Sequence, residues 1–357
     1  MFSFLSRSLF ILLAACAQGP DALANPPPPA TASPPSVARA PRPWADARAG
    51  DVLTVTLADL RPTQGGLGFD QVYSRLGRYE ADAAKKFDDF CADEGLGGVR
   101  RWDAASTLRD AASFACRDAD GRARDASALA AVVVGPDGAT LHVIDGHHGL
   151  SAWYELPDGG AGLVVHVAVR ETFATLAGAA FWDRMRSAGF LWLRDGHDRP
   201  ITVAQLPRGL GLHQGLSDDA FRSLVYFARG VGYARPAASP DYLEFQWARW
   251  LRAQPGFRLE AYDLRRLADV ADPTAARFDP AADGGYLGAV WQASQRMVAA
   301  TDPVIAGKSG ADLGRLDALN AGKAAGHGAF GDLMRPAGAA RPGKLAHLLR
   351  YKARRRL

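Results

Sequence analysis

Apolar and polar positions in the first half of the chain follow two periods, one typical of strands and one typical of helices. Two β-prone runs, residues 130–134 and 140–144, flank the turn sequence Gly-Pro-Asp-Gly, and this arrangement predicts a hairpin. In all, the pattern predicts strands at residues 52–56, 130–134, 140–144 and 164–169, and helices at residues 69–76, 80–90 and 150–156.

The second half of the chain has a mainly helical pattern. Helices are expected at residues 181–188, 217–229 and 241–252, with Ser217 as the N-cap of the second. From residue 254 onward, segments rich in Ala and Gly have weak helical character and contain no repeat or motif. We therefore predict a main domain at residues 51–253 and a helical extension with a basic tail at residues 254–357.

The N-terminus has the order of a secretory signal. Arg7 precedes an apolar run that is too short to span a bilayer and ends in Leu-Ala-Ala-Cys16, which resembles a bacterial lipobox. We predict a signal peptide at residues 1–15 and lipidation of Cys16. Cleavage after Ala24 would instead give a soluble exported protein, and a buried N-terminal helix is the remaining alternative.

Residues 16–50 predict a flexible tether, because nine of the 22 prolines lie between Pro20 and Pro43. We expect export to the periplasm or cell envelope, with a membrane anchor if Cys16 is lipidated. In that compartment thiols are usually oxidised, so we predict a disulfide between Cys91 and Cys116; two separate buried thiols are the alternative.

Positive charge is concentrated at the C-terminus. Residues 341–357 hold seven basic side chains and no acid, and removing these seven and Arg7 changes the net charge from +4 to −4. The tail therefore suits either an anionic partner, such as a phosphate backbone or lipid headgroups, or a basic terminus exposed to solvent.

The sequence Asp-Gly-His-His-Gly, residues 145–149, lies between a predicted strand and a predicted helix. Gly146 and Gly149 would let the backbone approach a ligand, and the unpaired N–H groups of a helix start attract anions. His147 and His148 offer metal ligands or an acid/base pair, with one ring expected at the ligand and one packed, and Asp145 could orient an imidazole. Alternatively, the aspartate only caps the helix and both histidines are turn residues.

A wider set of motifs resembles the ParB-like nuclease family of the ParB/sulfiredoxin superfamily. The motifs span residues 52–252 and lie at residues 60–64, 68–72, 143–148, 181–182, 219–224 and 244–248. The resemblance implies an α+β fold with a small mixed sheet and flanking helices, followed here by the mainly helical region. It also implies that the turn after the central strand binds a nucleotide or phosphate.

The resemblance places Pro62, Thr63 and Gln64 beside that turn, with the threonine and the glutamine as polar ligand contacts. The superfamily commonly has an arginine where this chain has Gly149. A phosphate clamp would then need an arginine from elsewhere, and the candidates are Arg61, Arg170 and Arg222.

The preferred functional hypothesis is hydrolysis of a phosphodiester. A divalent metal ion would be held by Asp145 and His147, and His148 would act as the base. The alternatives are a module that binds a nucleotide or phosphate without turnover, and a non-catalytic envelope protein that has lost the site. Chromosome partitioning, another association of the superfamily, needs cytoplasmic nucleoside triphosphates and does not suit an exported protein.

Overall fold

The computed structural model describes residues 43–119, 121–267, 279–300, 304–322 and 329–357. The predicted signal peptide, Cys16 and most of the tether lie outside these residues. From residue 43 onward the described chain forms one compact unit. None of its helices has the length and apolar character that a membrane span requires.

The secondary structure combines short strands with helices. The strands are β1 (Val52–Thr56), β2 (Leu60–Pro62), β3 (Gly66–Leu67), β4 (Val99–Arg101), β5 (Ala115–Cys116), β6 (Ala130–Val134), β7 (Leu141–Val143), β8 (Val164–Thr172) and β9 (Ser217–Asp218). The helices are α1 (Phe69–Ala81), α2 (Ala83–Asp93), α3 (His147–Glu155), α4 (Gly178–Ser187), α5 (Ala220–Ala228), α6 (Leu243–Arg252), α7 (Tyr286–Val298), α8 (Ala329–Met334) and α9 (Lys344–Arg355).

Five strands form a mixed sheet in the order β1-β8-β6-β7-β2. The pairs β1/β8 and β6/β7 are antiparallel, whereas β6/β8 and β2/β7 are parallel. The predicted hairpin is confirmed, with Val132 paired to Val143, and the predicted α+β class with a small mixed sheet is confirmed as well. Because β2 and β7 run parallel, with Pro62 opposite Val143, the segments that follow the two strands lie at the same edge of the sheet.

The first hydrophobic core lies between this sheet and helices α1, α2 and α3. In β8, Val165, Val167 and Val169 are buried and alternate with more exposed residues, as expected for a strand with one covered face. Trp153 of α3 stacks on Tyr79 of α1, with ring centroids 5.1 Å apart. This packing fixes the position of α3 relative to α1.

The predicted starts of α2 and α5 are wrong for local reasons. The first helix continues to Ala81, and Asp82 caps α2 by accepting the Lys85 N–H at 3.1 Å, so α2 begins three residues later than predicted. Ser217 is not an N-cap, because it pairs in β9 and its Oγ donates to the Gly65 carbonyl. Asp219 caps α5 instead.

The region after residue 254 shares its core with the preceding domain. A second hydrophobic core combines Phe227 of α5 and Trp247 of α6 with residues of α7, α8 and α9, among them Tyr286, Phe330 and Leu348. These side chains are almost completely buried. The helical extension is therefore an integral layer of the compact unit.

The basic tail is not a terminus free in solvent, because α9 packs along α1. Tyr351 stacks on Tyr73 at 5.4 Å, and a Cβ on Gly77 would lie 2.2 Å from the His347 carbonyl oxygen. Lys352 Nζ lies 2.8 Å from the buried Asp70 carboxylate. The tail thus carries an apolar face and a buried ion pair.

The predicted disulfide between Cys91 and Cys116 is present and joins α2 to β5. It closes a loop with a sequence separation of 25 residues. Cross-linking a loop of this size stabilises a fold by about 3 kcal/mol in the chain-entropy model.

Candidate functional site

The predicted turn forms the first turn of α3. The helix begins at His147, three residues before the predicted start, and Gly146 is its N-cap. Gly146 has a φ of 94°, in the left-handed region that favours glycine, and a Cβ there would lie 2.8 Å from that of Ala130. The N–H groups of the first helical turn have no partner within the helix and give this end a partial positive charge.

Both histidines bind backbone N–H groups of the segment that follows β2. His147 Nε2 accepts the Thr63 N–H at 3.3 Å, and His148 Nε2 accepts the Gly68 N–H at 3.1 Å. Burial lowers the pKa of His147 to about 3 and the pKa of His148 well below its ordinary value. Each imidazole is therefore neutral at physiological pH, with its proton on Nδ1. The expected division into one packed and one free ring is wrong, because both rings hold backbone.

The residues predicted from the early motif lie beside this turn. Thr63 Oγ1 donates to the Val143 carbonyl at 2.6 Å and lies 3.1 Å from the Tyr242 hydroxyl. Gln64 Nε2 donates to the Gly66 carbonyl at 2.8 Å, and its side chain lines the pocket described below. Pro62 pairs with Val143 in the sheet. Threonine and proline therefore position the turn, and glutamine borders the ligand space.

Asp145 is exposed, and its Oδ1 accepts the N–H of the adjacent Gly146 at 2.8 Å. Among the described hydrogen bonds it orients neither imidazole. No group of three or more His, Cys, Asp or Glu residues that could hold a metal ion occurs in the described ranges. Of the predicted metal pair, only the Asp145 carboxylate is open to an ion, because His147 Nε2 accepts the Thr63 N–H and its Nδ1 carries the proton.

A pocket of about 620 Å³ opens onto the first turn of α3. Among the described residues it is lined by six arginines and one lysine but only four acids, Asp89, Asp145, Asp241 and Glu244. Such an excess of cations around a concave site attracts anions. The pocket therefore combines a positive helix end with a positive wall.

An arginine from α1 lies beside Gly149. A Cβ at position 149 would lie 2.7 Å from Nη1 of Arg75. The guanidinium is held by Asp93 at 3.2 Å and lies 5.7 Å from the centroid of the Trp153 ring. The first turn of α3 thus has an arginine beside it, although the sequence has glycine at the position where the superfamily commonly carries one.

Of the three arginines proposed from the sequence as phosphate ligands, two line the pocket and one does not. Arg222 and Arg170 line the pocket. Arg61 does not, since its Nη1 donates to the carbonyls of Ala58 at 2.8 Å and Arg208 at 3.2 Å. The prediction is therefore wrong for Arg61, whose guanidinium is held by backbone outside the pocket.

Arg222 is almost fully buried and retains unused hydrogen-bonding capacity. Its Nη1 donates to Gln71 at 3.0 Å, and its Nη2 lies 3.7 Å from Glu244. Its Nε is buried with no hydrogen-bond partner among the described residues. Although burial opposes the charge of Glu244, Arg222 and its neighbours Arg235 and Arg229 hold the pKa of that carboxyl below its ordinary value. A buried, unpaired guanidinium N–H at a pocket wall is a position for an anionic ligand.

Five cations of the pocket were not identified from the sequence: Arg75, Arg78, Arg229, Arg235 and Lys344. They come from α1, from the segment after α5 and from α9, so no local motif contains them. Arg75 and Arg78 are three residues apart, a spacing that places two side chains on the same side of a helix, but the predicted helix ended at residue 76 and did not include Arg78.

Comparisons with known proteins bear on the family of this chain. The family model described as "Putative ParB-like nuclease" matches residues 53–253. The crystal structure of protein Atu1540 from Agrobacterium tumefaciens is similar at 23% identity, with 57% of this chain and 79% of that chain covered and a TM-score of 0.38. None of the curated proteins that were compared matches the sequence. Because the family match covers more than half of the 357 residues, the chain belongs to the ParB-like nuclease family.

Proposed function

We propose that the pocket binds a phosphate group of a nucleotide or nucleic acid. The observation that carries this proposal is the position of Arg75 beside Gly149, a residue of the first turn of α3. A helix N-terminus and an arginine at the same place form a phosphate site of ordinary type, because N–H donors and a fixed cation meet one anion.

Three further groups support phosphate binding. Arg222 brings a buried Nε without a protein partner in the described part of the chain. Arg170 and Lys344 line the pocket and pair with no acid among the described residues, so their charge is available to a ligand. An unpaired cation in a partly enclosed site attracts a phosphate more strongly than a cation already neutralised by an acid.

The histidines act in this proposal as donors and as supports of the backbone. Their Nε2 atoms accept backbone N–H groups, and each Nδ1 carries the remaining proton. A general base needs a free lone pair. In each neutral ring the one lone pair that could take a proton is on Nε2, and that lone pair already accepts a backbone N–H. We therefore assign His147 and His148 to positioning the turn.

Hydrolysis of a phosphodiester is the second candidate function, favoured by the family match and by Asp241. This carboxyl lines the pocket, and burial raises its pKa above the ordinary value, with Arg170 opposing the shift and Asp145 adding to it. In the proposed step water adds to phosphorus, the ester P–O bond breaks, and the leaving oxygen takes the proton of Asp241. The proton released by water then restores the carboxyl.

A divalent metal ion remains part of this second candidate. Asp145 is the carboxylate of the predicted motif that is open to an ion, and Mg²⁺ is often held by one or two carboxylates together with substrate phosphate. When bound, the ion would neutralise charge on the phosphate. In the observed tautomer His147 would not be a ligand, because its Nε2 accepts the Thr63 N–H and its Nδ1 carries the proton.

Export to the cell envelope, with lipidation of Cys16, is proposed on a separate ground. The disulfide between Cys91 and Cys116 suits an oxidising compartment. Cell fractionation of the wild-type protein and of a Cys16→Ala variant tests the proposal. Recovery of the wild type in the cytoplasm would contradict export, and equal membrane association of both proteins would contradict the lipid anchor.

Phosphate binding is tested by calorimetric titration of the full chain with inorganic phosphate and with a nucleoside monophosphate. The variant Arg170→Gln/Lys344→Gln removes two exposed cations of the pocket, and Arg258→Gln/Arg265→Gln removes two exposed cations elsewhere. We expect the first variant to bind at least tenfold more weakly and the second to bind like the wild type. Absence of binding to the wild type would refute the proposal.

A further inference from the structure

A second cavity, of about 760 Å³, lies where the C-terminal segment packs on α1 and the start of α2. We call it the tail groove. Its basic lining residues are Arg78, Lys85, Arg341 and Arg350, and the one acid among its described lining residues is Asp82. Most of the tail side of the groove belongs to residues 337–350, which lie outside the family match at residues 53–253.

The cations of the tail groove differ in how far the protein neutralises them. Arg78 and Lys85 both pair with Asp89 of α2. Arg341 and Arg350 are exposed and pair with no acid in the described part of the chain. His347 also lines the groove, and burial, reinforced by Arg78, lowers its pKa. The four basic side chains outnumber Asp82 and Asp89, so the groove keeps a net positive charge among the described residues.

The tail groove lies beside the phosphate pocket. Arg78 lines both cavities, and its buried Nε has no hydrogen-bond partner among the described residues. At the start of α9, Arg341 lines the groove and Lys344 lines the pocket. Lys344 is fixed there, since its Nζ lies 4.7 Å from the centroid of the Tyr226 ring and its carbonyl accepts the Ser74 hydroxyl at 2.9 Å. Cations thus line both neighbouring cavities, and Arg78 lies between them.

We propose that the tail groove is a second phosphate-binding site that holds the continuation of the ligand bound in the pocket, so that the ligand is a nucleic-acid strand. This inference rests on the proposed phosphate binding in the pocket. A mononucleotide would occupy the pocket alone, whereas a strand carries about one phosphate per 3.4 Å of its length and would occupy both cavities. A flat lipid surface is the poorer partner, because the cations line concave spaces.

The test is fluorescence anisotropy of the full chain with a labelled oligothymidylate of about twelve nucleotides, a length within the range that single-strand-binding folds cover. The groove variant is Arg341→Gln/Arg350→Gln, and the matched control is Arg258→Gln/Arg265→Gln. Both remove two exposed arginines, but the control positions line neither cavity. Inorganic phosphate is titrated into all three proteins, and vesicles containing phosphatidylserine are used as a further probe.

We expect the groove variant to bind the oligonucleotide at least tenfold more weakly and to bind inorganic phosphate like the wild type. The slope of log K against log salt should become shallower by about 0.7 for each lost phosphate contact. The control should match the wild type in both respects.

If the groove variant binds the oligonucleotide as tightly as the wild type, the proposal for the tail groove is wrong. It is also wrong if the control loses as much affinity as the groove variant. Neither result would contradict phosphate binding in the pocket. Binding to the vesicles but not to the oligonucleotide would also overturn the proposal for the tail groove. Failure of the wild type to bind either phosphate or the oligonucleotide would refute both proposals together.

Discussion

The guanidinium of Arg75 lies in the space that a side chain at position 149 would need, with Nη1 2.7 Å from where a Cβ on Gly149 would lie. The position of the Arg75 guanidinium therefore requires a residue without a side chain at position 149. Any larger residue at 149 must displace the guanidinium. The phosphate site described above depends on this pair of residues.

An exchange of the two positions tests this dependence. We expect Arg75→Ala to weaken phosphate binding by about tenfold or more, because a charge-assisted hydrogen bond is lost. The variant Arg75→Ala/Gly149→Arg should recover a large part of that affinity, since its new arginine enters the vacated space. Calorimetric titration with inorganic phosphate measures both variants. Undiminished binding by the single variant would contradict the assignment of Arg75.

Acid sensitivity should follow from the two neutral histidines. Burial lowers the pKa of His147 from 6.5 to about 3 and that of His148 well below 6.5, so the unfolded chain takes up protons first as the pH falls. Their contribution to stability is complete above about pH 6.5 and is lost progressively below it, by at most about 1.4 kcal/mol per pH unit for each histidine.

Urea unfolding at several pH values measures this effect. The variant His147→Gln/His148→Gln keeps a side-chain acceptor for the Thr63 and Gly68 N–H groups but does not titrate. We expect its free energy of unfolding to depend less on pH between about 7 and 5 than that of the wild type. Equal pH dependence of the two proteins would show that the imidazoles are charged or exposed in the folded state.

The disulfide should contribute to both stability and ligand binding. Cys91 lies on α2 between Asp89, which pairs with Arg78, and Asp93, which pairs with Arg75. We expect Cys91→Ser/Cys116→Ser to lose about 3 kcal/mol of unfolding free energy and to bind phosphate more weakly. Urea unfolding and calorimetry with and without reductant provide the measurement. A reductant that leaves wild-type stability unchanged would contradict this expectation.

A substitution of Asp241 distinguishes phosphate binding from phosphodiester hydrolysis. We expect Asp241→Asn to retain phosphate binding and to lose any phosphodiesterase activity of the wild type by about a hundredfold, the usual scale of acid/base catalysis. An activated diester such as bis(4-nitrophenyl) phosphate is a suitable substrate. Asp183→Asn, on the exposed surface of α4, is the control. Equal activity of all three proteins would remove Asp241 from the proposed step.

The ion pair between Lys352 and Asp70 should hold α9 in place. Asp70 is buried, and it also accepts the Tyr286 hydroxyl at 3.1 Å, so loss of the lysine leaves a buried carboxylate without its cation. We expect Lys352→Ala to lower the free energy of unfolding by about 2 kcal/mol. Arg356→Ala, at the exposed end of the chain, should have little effect. Equal destabilisation by the two variants, measured in urea, would contradict the role of the pair.

Local sequence patterns predicted the hairpin and the position of the turn because their signals lie within a few residues of one another. The contact of Arg75 with Gly149 joins two elements far apart in sequence, and no periodicity contains it. Ser217 and Asp219 are equally good N-cap residues by sequence, so the sequence does not distinguish them. The pairing of β9 with β3 places Ser217 in a strand and leaves Asp219 as the N-cap of α5.

The last hundred residues were the least predictable part. In α7, Gly288, Ala289 and Ala293 are buried together with Tyr286 and Val290, and side chains as small as these give only a weak hydrophobic signal in the sequence. The small residues that made this segment look weakly helical allow it to pack closely. The role of α9 was missed for a different reason, since its charge obscured an apolar face against α1.

The second hydrophobic core, which crosses the end of the family match at residue 253, has a consequence for how this protein can be divided. A chain truncated at that residue would leave Phe227 and Trp247 uncovered and invite aggregation. The family domain in this chain is consequently not a portable module, because its solubility depends on the helices that cover this core.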